Sequence, residues 1–190
     1  MSFFDSVPSP APVPSRPHHP WDPPEAELPG VVAFRTLVLA RTERAAVAVT
    51  GLSAYSAGFE IFVTGRFRPG TDTGPGERGP GGPGSGGPLR SFRFGLQLAD
   101  GTKVIGERGG RGPDGDAEPD GPVLRMFLGG GSPRSSLSRW WVWPLPPAGP
   151  LEFVCEWPLL GIPESRAGLD AQSILDAAGQ SIRLWPEDDA

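Results

Sequence analysis

Four of the six tryptophans of this 190-residue chain lie between residues 140 and 157. They belong to two short segments, 139–143 and 151–157, which flank a proline-rich connection, 144–150. Because tryptophan buries a large area in a core or an interface, such a cluster requires a folded domain around it. The two segments are predicted to form one β-hairpin at the structural centre of the protein.

Apolar and polar residues alternate along several other segments, as they do in strands. In 92–98, phenylalanine and leucine recur at every second position. Asp100 and Gly101 then favour a tight hairpin turn, because both tolerate positive φ. The remaining predicted strands are 31–39, 45–52, 59–67, 103–105, 124–128 and 181–185.

Eight or nine strands with little helix predict a mainly β fold. The expected architecture is an antiparallel β-sandwich, immunoglobulin-like or jelly-roll, rather than an α/β fold. One short C-terminal helix is predicted over 171–178, with Asp170 as its N-cap and Gly179 as a left-handed C-cap. We expect this helix to cover one end or one face of the sandwich.

Three polar segments interrupt the strand pattern. Glycine and proline make up more than a quarter of the chain, with 28 and 25 residues, a content typical of partly disordered sequences. Prolines recur too often in 1–27 for a helix or a ladder, which predicts an extended, disordered arm. Segments 69–88 and 106–122 lack the apolar side chains that offset ordering entropy, and they are predicted to be flexible loops. Residues 28–187, which include these two loops, are expected to form a single β-sandwich domain.

Charge and targeting signals argue against two classes of partner. The formal net charge of −5 is spread along the chain, and Arg108 and Arg111 form one isolated RGG-like segment among acidic residues. No nucleic-acid partner is therefore expected. No apolar run approaches the roughly 18 residues that span a bilayer, so no membrane association is expected either. Since the N-terminus lacks a signal-peptide pattern, the sequence predicts a cytoplasmic protein.

Residues for acid-base or nucleophilic chemistry are scarce. The only histidines, His18 and His19, are adjacent in the proline-rich arm, so a histidine base is not expected beside a serine or cysteine nucleophile. The single cysteine, Cys155, lies on the apolar side of its segment, which predicts a buried thiol. Acidic residues alternate in 114–120, but Pro119 replaces the glycine that a calcium loop needs. We therefore expect no metal and no other cofactor.

The tryptophan segment itself is the best candidate for a binding surface. If Arg139 points to solvent, strand alternation directs Trp141 and Trp143 to the same side, and Trp140 inward. Two glutamates across the hairpin would complete an apolar and polar patch that fits a protein partner or a small ligand. The predicted binding residues are Arg139, Trp141, Trp143, Glu152 and Glu156.

Two alternatives remain open. The C-terminal helix, or Trp185, could cover the tryptophan face and bury it. Glu152 and Glu156, with Glu60 as a substitute for either, could instead serve a carbohydrate-active enzyme of the glycoside hydrolase type. Their spacing is unfavourable, because four residues of strand span about 13 Å, whereas the carboxyl groups of glycosidases lie about 5–9.5 Å apart. The sequence thus predicts a non-enzymatic β-sandwich accessory or binding protein, with the enzyme as the alternative.

Three motifs resemble a family of uncharacterised actinobacterial proteins of about this length: WPLPPAGPLEFVCEWP at 143–158, GIPE at 161–164 and LWPE at 184–187. Together with segments 55–67 and 96–101, the resemblance covers most of the folded part. It implies a bacterial cytoplasmic protein, and it implies no particular activity, cofactor or site.

Overall fold

A computed structural model describes residues 18–72, 89, 91–108 and 118–185. Within these residues the chain forms thirteen β-strands, one α-helix and a 3-10 turn, Pro158–Leu160. The strands are β1 (Glu27–Leu28), β2 (Gly30–Val31), β3 (Leu37–Arg41), β4 (Ala45–Ala54), β5 (Phe59–Phe67), β6 (Arg93–Gln97), β7 (Lys103–Ile105), β8 (Glu107–Arg108), β9 (Val123–Ser132), β10 (Ser135–Trp143), β11 (Pro150–Trp157), β12 (Ile162–Asp170) and β13 (Ile182–Arg183). The helix, α1, is Gln172–Ala178.

The strands form two main sheets that pack face to face. The large sheet has the order β2-β4-β5-β10-β9-β8, with β3 also paired to β4, and the small sheet has the order β12-β11-β6-β7. Described strands pair antiparallel except β8 and β9, and β1 and β13 form a separate ribbon. The predicted fold class, a mainly β antiparallel sandwich with one short C-terminal helix, is confirmed.

Aromatic side chains fill the space between the two sheets. Trp140 of the large sheet packs against Phe94 of the small sheet, with ring centroids 5.2 Å apart. In the reverse direction, Trp157 of the small sheet packs against Phe67 of the large sheet at 5.5 Å. Both indoles are buried, and side chains of this size each remove about 150–250 Å² from water. Each sheet thus contributes one tryptophan that joins it to the other.

The predicted tryptophan hairpin is wrong, because its two strands belong to different sheets. β10 pairs with β5 and β9, whereas β11 pairs with β12 and β6. The connection 144–149 crosses from one sheet to the other. Its three prolines cannot donate backbone hydrogen bonds, and its six residues are long enough to bridge sheets about 10 Å apart. Alternation identified both strands correctly, but it carried no information on their pairing partners.

The other predicted strands agree with the structure to different degrees. Segments 59–67 and 103–105 match β5 and β7, and 124–128 is the middle of the longer β9. Segment 31–39 is interrupted, since only its two ends pair with β4. β12 is missing from the prediction because Pro163 and Gly168 weaken its strand pattern. An edge strand such as β12 tolerates both residues.

The helix α1 forms where it was predicted, but it begins one residue later, and its N-cap is Ala171 instead of the predicted Asp170. Asp170 accepts a hydrogen bond from the backbone N–H of Gln172 through Oδ1, at 2.9 Å, which satisfies one free donor of the first turn. Gly179 is right-handed, with φ −65°, so the predicted left-handed C-cap is wrong. The helix packs on β2, where a Cβ atom at Gly30 would lie only 1.9 Å from the carbonyl oxygen of Ala177. It therefore covers one end of the large sheet, as expected.

The predicted arm and loops fall largely outside the described residues, on 1–17, 73–88 and 109–117. Residues 18–27 of the predicted arm are described, and they lie against the domain. Trp21 is buried there, and Glu27 accepts a hydrogen bond from the backbone N–H of Ser56 at 3.0 Å. No helix in the described part of the chain is long and apolar enough to cross a membrane.

The assignment of the inward and outward sides of β11 can be tested with two truncations on adjacent residues. Phe153 is fully buried between the sheets, so Phe153→Ala should lower the free energy of unfolding by about 3–5 kcal/mol through the cavity it leaves. Val154 points outward, so Val154→Ala should lower it by no more than about 1 kcal/mol. Urea denaturation of both variants measures the difference. A larger loss for Val154→Ala would mean that β11 has the opposite face inward.

Candidate functional site

The outer face of the small sheet is covered with ion pairs. Arg166 of β12 donates hydrogen bonds to Glu152 at 3.0 Å and to Glu164 at 2.8 Å. Arg93 of β6 pairs with Glu156 at 2.6 Å. These groups are largely solvent-exposed, and exposed pairs of this kind contribute little net stability. The ion-paired part of this face is therefore well hydrated.

Glu152 and Glu156 do point outward on β11, as predicted, but they do not lie beside the tryptophan face. β11 belongs to the small sheet and β10 to the large one. Because the inner sides of both sheets are packed together, their outer sides lie on opposite faces of the sandwich. The predicted patch of Trp141, Trp143 and the two glutamates is therefore not assembled.

The three carboxylates of the glycoside hydrolase alternative are also separate. Glu152 pairs with an arginine of β12, and Glu156 pairs with an arginine of β6, so the two carboxylates are drawn to opposite neighbours of β11. Glu60 lies on β5, in the other sheet. No two of these three carboxylates are therefore placed to face the same substrate, as the enzyme alternative requires.

On the large sheet, alternation along β10 is as predicted, but Trp141 is not exposed. Arg139, Trp141 and Trp143 lie on the outer side of β10, and Trp140 lies on the inner side. Trp141 is only 2% exposed. Tyr55 packs edge-on against its ring, with centroids 5.6 Å apart, and the indole Nε1 donates to the backbone carbonyl of Trp21 at 2.8 Å. The alternative prediction, that this face is covered and buried, is therefore correct for Trp141.

The residues that cover Trp141 differ from those expected. The predicted covers were the C-terminal helix and Trp185. Instead, the chain before β1 lies over this end of β10, where Trp21 packs edge-on against Trp143 with centroids 6.5 Å apart. Trp21 precedes Trp141 by 120 residues, so no local pattern could have indicated this contact.

A buried ion pair holds Arg139 on the outer face of the large sheet. Arg139 donates through Nη2 to both carboxylate oxygens of Glu60, at 2.5 and 2.6 Å. Glu60 is 2% exposed, whereas the Arg139 side chain is 32% exposed. The guanidinium also lies over two rings, 5.4 Å from the centroid of Phe62 and 4.7 Å from that of Phe127. Arg139 is thus fixed in one orientation, with one edge paired and the other open to solvent.

Tyr55 lies next to Glu60 at the buried end of this ion pair. Burial raises the pKa of its phenol, the negative charge of Glu60 raises it further, and the positive charge of Arg139 opposes the shift. The phenol therefore stays protonated at neutral pH and cannot act as a base there. Its role in this arrangement is that of a hydrogen-bonding neighbour of Glu60 and Arg139.

Three exposed apolar side chains surround the open edge of Arg139. Leu128 pairs with Arg139 across β9 and β10, next to an irregularity in the register. Phe127 and Leu137 lie nearby, and all three side chains are about half exposed. We call these residues, with Phe62 and Arg139, the Arg139 surface. Sequence alternation missed it, although the run Met126-Phe127-Leu128 contains more consecutive apolar residues than a strand with one buried face needs.

The charge on this face is predominantly positive. The outward-facing charged side chains of the central strands β4, β5, β9 and β10 are Arg66, Arg125, Arg139 and Glu60. Glu60 is already paired with Arg139. The Nε atoms of Arg125 and Arg139 are buried and have no hydrogen-bond partner among the described residues. The face therefore presents positive charge beside apolar side chains.

The described residues offer little to a metal ion or a covalent mechanism. No group of three or more His, Cys, Asp or Glu side chains among them could hold a metal ion. Cys155 is buried as predicted, and burial raises the pKa of its thiol to about 12. The thiolate that would act as nucleophile is therefore scarce at neutral pH.

The ion pair predicts unequal effects for its two partners. Arg139→Met leaves a buried carboxylate without its partner, and we expect the free energy of unfolding to fall by about 3–5 kcal/mol. Glu60→Gln should lower it by only about 1–2 kcal/mol, because Arg139 can reach water. The double variant Glu60→Leu, Arg139→Met should recover most of the loss, since neither charge remains buried. Urea denaturation tests all three, and a larger loss for Glu60→Gln would contradict the asymmetry.

The buried thiol predicts slow chemical labelling. At pH 8, a pKa of about 12 leaves roughly one Cys155 in ten thousand as thiolate. Native protein should therefore react with an aromatic disulfide reagent far more slowly than protein unfolded in concentrated urea. Complete reaction of the native protein within minutes would show that Cys155 is accessible and reactive.

Comparison with other proteins identifies no relative from which a site could be transferred. No protein-family model, curated protein or solved structure matches this chain. The Arg139 surface is therefore interpreted from its own geometry.

Proposed function

We propose that this chain is a non-enzymatic binding protein whose contact surface is the Arg139 surface on the outer face of the large sheet. The observation that carries the proposal is a group of half-exposed apolar side chains, Phe127, Leu128 and Leu137, around a fixed arginine. Arginine and aromatic residues are the types enriched in the energetic centres of protein interfaces. The outer face of the small sheet, with its exposed ion pairs, provides the contrast within the same molecule.

The fixed orientation of Arg139 favours binding. A free arginine side chain loses considerable rotamer entropy when a partner immobilises it. Here Glu60 and the rings of Phe62 and Phe127 already restrict the guanidinium. Since much of that entropy is lost on folding, less is lost on association.

The charge of the surface selects the kind of partner. Arg66, Arg125 and Arg139 face the same side, with Glu60 as the single acid on the central strands. A second copy of this face would bring arginines together, which disfavours self-association through it. A broad sheet face also suits a protein better than a small ligand, since small ligands bind in concave pockets. The proposed partner is therefore a protein that presents apolar and acidic side chains.

The absence of catalysis is part of the proposal and is supported by the state of the reactive groups. Cys155 is buried with a raised pKa, Tyr55 stays protonated, and Glu60, Glu152 and Glu156 are each paired with arginine. A cytoplasmic location and membership of the actinobacterial family that the motifs resemble also belong to the proposal. They add no residue to the site.

The binding surface can be tested by placing the same charge on each outer face. Leu137→Glu puts a carboxylate at the Arg139 surface. Ile105→Glu, at an 81% exposed position on the outer face of the small sheet, is the matched control. A partner is isolated from the source cells with wild-type protein, purified, and titrated by calorimetry against all three proteins. We expect Leu137→Glu to weaken binding at least about tenfold, which is roughly 1.4 kcal/mol, and Ile105→Glu to change it less than about twofold.

Three results would contradict this proposal. One is unchanged affinity for Leu137→Glu, and another is an equal loss for the control variant. The third is a wild-type protein that sediments as a dimer and becomes a monomer on Leu137→Glu, which would make a second copy the partner. Hydrolysis of a glycan that is abolished by Glu152→Gln, with the fold intact, would instead establish the enzyme alternative.

A further inference from the structure

The Arg139 surface continues, along β10, into a second aromatic area that the chain itself covers. Arg139, Trp141 and Trp143 occupy alternate positions of one strand, so they point to the same side about 7 Å apart. Arg125 lies directly across from Trp141 on β9. Trp21 lies over Trp141 and Trp143, and we call residues 18–24, which contain it, the cover segment. The exposed and the covered areas are thus two parts of one sheet face.

The cover segment is held to this face by contacts of Trp21. Its carbonyl accepts the hydrogen bond from Trp141 Nε1 at 2.8 Å, and its ring packs edge-on against Trp143. Other contacts fold the segment on itself: the Asp22 N–H donates to the carbonyl of His19 at 2.9 Å, and the His19 ring stacks on Trp21 at 4.7 Å. A segment with its own compact structure can leave the surface without disturbing the sheet hydrogen bonds beneath it.

One buried donor of the cover segment lacks an acceptor in the seated position. The Nε1 atom of Trp21 is buried and has no hydrogen-bond partner among the described residues, as is also the case for Trp157 Nε1 between the sheets. A buried donor without an acceptor is unfavourable. Lifting of the cover segment would expose the Trp21 donor to water.

The chemistry of the cover segment matches that of the proposed partner. Trp21 is followed by the acidic Asp22, whose carboxylate accepts a hydrogen bond from the His19 N–H at 3.2 Å, and Trp21 lies on a sheet face that also carries Arg125. We propose that the cover segment is a displaceable intramolecular ligand. A partner segment in which an acidic residue follows an aromatic one takes its place. An oxygen atom of that segment then accepts the hydrogen bond from the Trp141 indole N–H. This inference rests on the proposed function, because it assigns the partner's second contact area on the same face.

Displacement has a defined consequence for affinity. While the cover segment is seated, only the fraction of molecules in which it has lifted can bind at Trp141 and Trp143. The apparent affinity is reduced by that fraction. A variant with a weakened cover should therefore bind such a partner segment more tightly than the wild type does.

Hydrogen exchange on the unmodified protein tests whether the cover lifts. Trp140 and Trp141 are adjacent, both are buried, and both indole N–H groups are hydrogen-bonded, Trp140 to Ser138 Oγ at 2.9 Å and Trp141 to Trp21 O at 2.8 Å. They differ in that Trp140 lies between the sheets and Trp141 lies under the cover segment. By NMR, we expect the Trp141 indole proton to exchange with deuterium oxide at least about tenfold faster than that of Trp140. Equal rates would mean that both open only by global unfolding, which would overturn the inference.

A peptide added in trans tests whether the site accepts this chemistry. The probe is a fluorescein-labelled synthetic peptide of residues 18–28, and the protein is full-length Trp21→Ala. We expect anisotropy titrations to show at least about tenfold tighter binding to the variant than to the wild type. The same peptide with alanine in place of Trp21 should not bind. Equal affinity for both proteins would overturn the proposed competition.

The two proposals fail independently. The exchange experiment needs no partner and no variant, so it remains decisive if Trp21→Ala proves unfolded in a urea titration. If Leu137→Glu leaves partner binding unchanged while Trp141 exchanges rapidly and the peptide binds, the Arg139 surface is wrong and the cover segment stands. If the partner depends on Leu137 but Trp141 and Trp140 exchange at equal rates, the cover segment is a permanent part of the fold.

Discussion

Two indoles, Trp140 from the large sheet and Trp157 from the small one, occupy the space between the sheets, and the rest of the molecule depends on that contact. Because side chains alternate along a strand, an inward Trp140 directs Arg139 and Trp141 outward, and an inward Trp157 does the same for Glu156. A shift of one residue in either strand would exchange its two faces. The packing between the sheets therefore decides which residues each outer surface can offer.

The two outer surfaces differ because the ion pairs of the small sheet are exposed to solvent, whereas that of the large sheet is partly buried. On the small sheet, arginines and glutamates pair in solvent, where a pair contributes little and can be rearranged freely. On the large sheet, the only outward acid of the central strands, Glu60, is buried beside Tyr55 and paired with Arg139. A buried pair of this kind is weak evidence for stability, but it restricts the geometry of its members. That restriction makes the Arg139 surface suitable for recognition.

The sequence predicted the elements better than their arrangement. β5 was found to the residue because its β-branched and aromatic residues lie between short polar breaks, and the helix was found to within one residue. The pairing of β10 with β5, rather than with β11, depends on contacts between residues far apart in sequence, which local periodicity does not encode. The site was missed for the same reason: Trp141 is covered by Trp21, 120 residues away, and Phe127 is exposed by an irregularity between paired strands.

The crossing of the chain between sheets, from β10 to β11, also shapes how the protein reaches its fold. Because β10 does not pair with β11, the large sheet brings β10 against β5 instead, and the paired residues Phe59 and Val142 are separated by about half of the domain. Proteins dominated by such distant pairings fold slowly, in about milliseconds to seconds, because the entropy of loop closure is lost before the contacts form. That entropy grows only with the logarithm of loop length. The loops between β5 and β10 can therefore be lengthened or shortened with small changes in folding rate and stability.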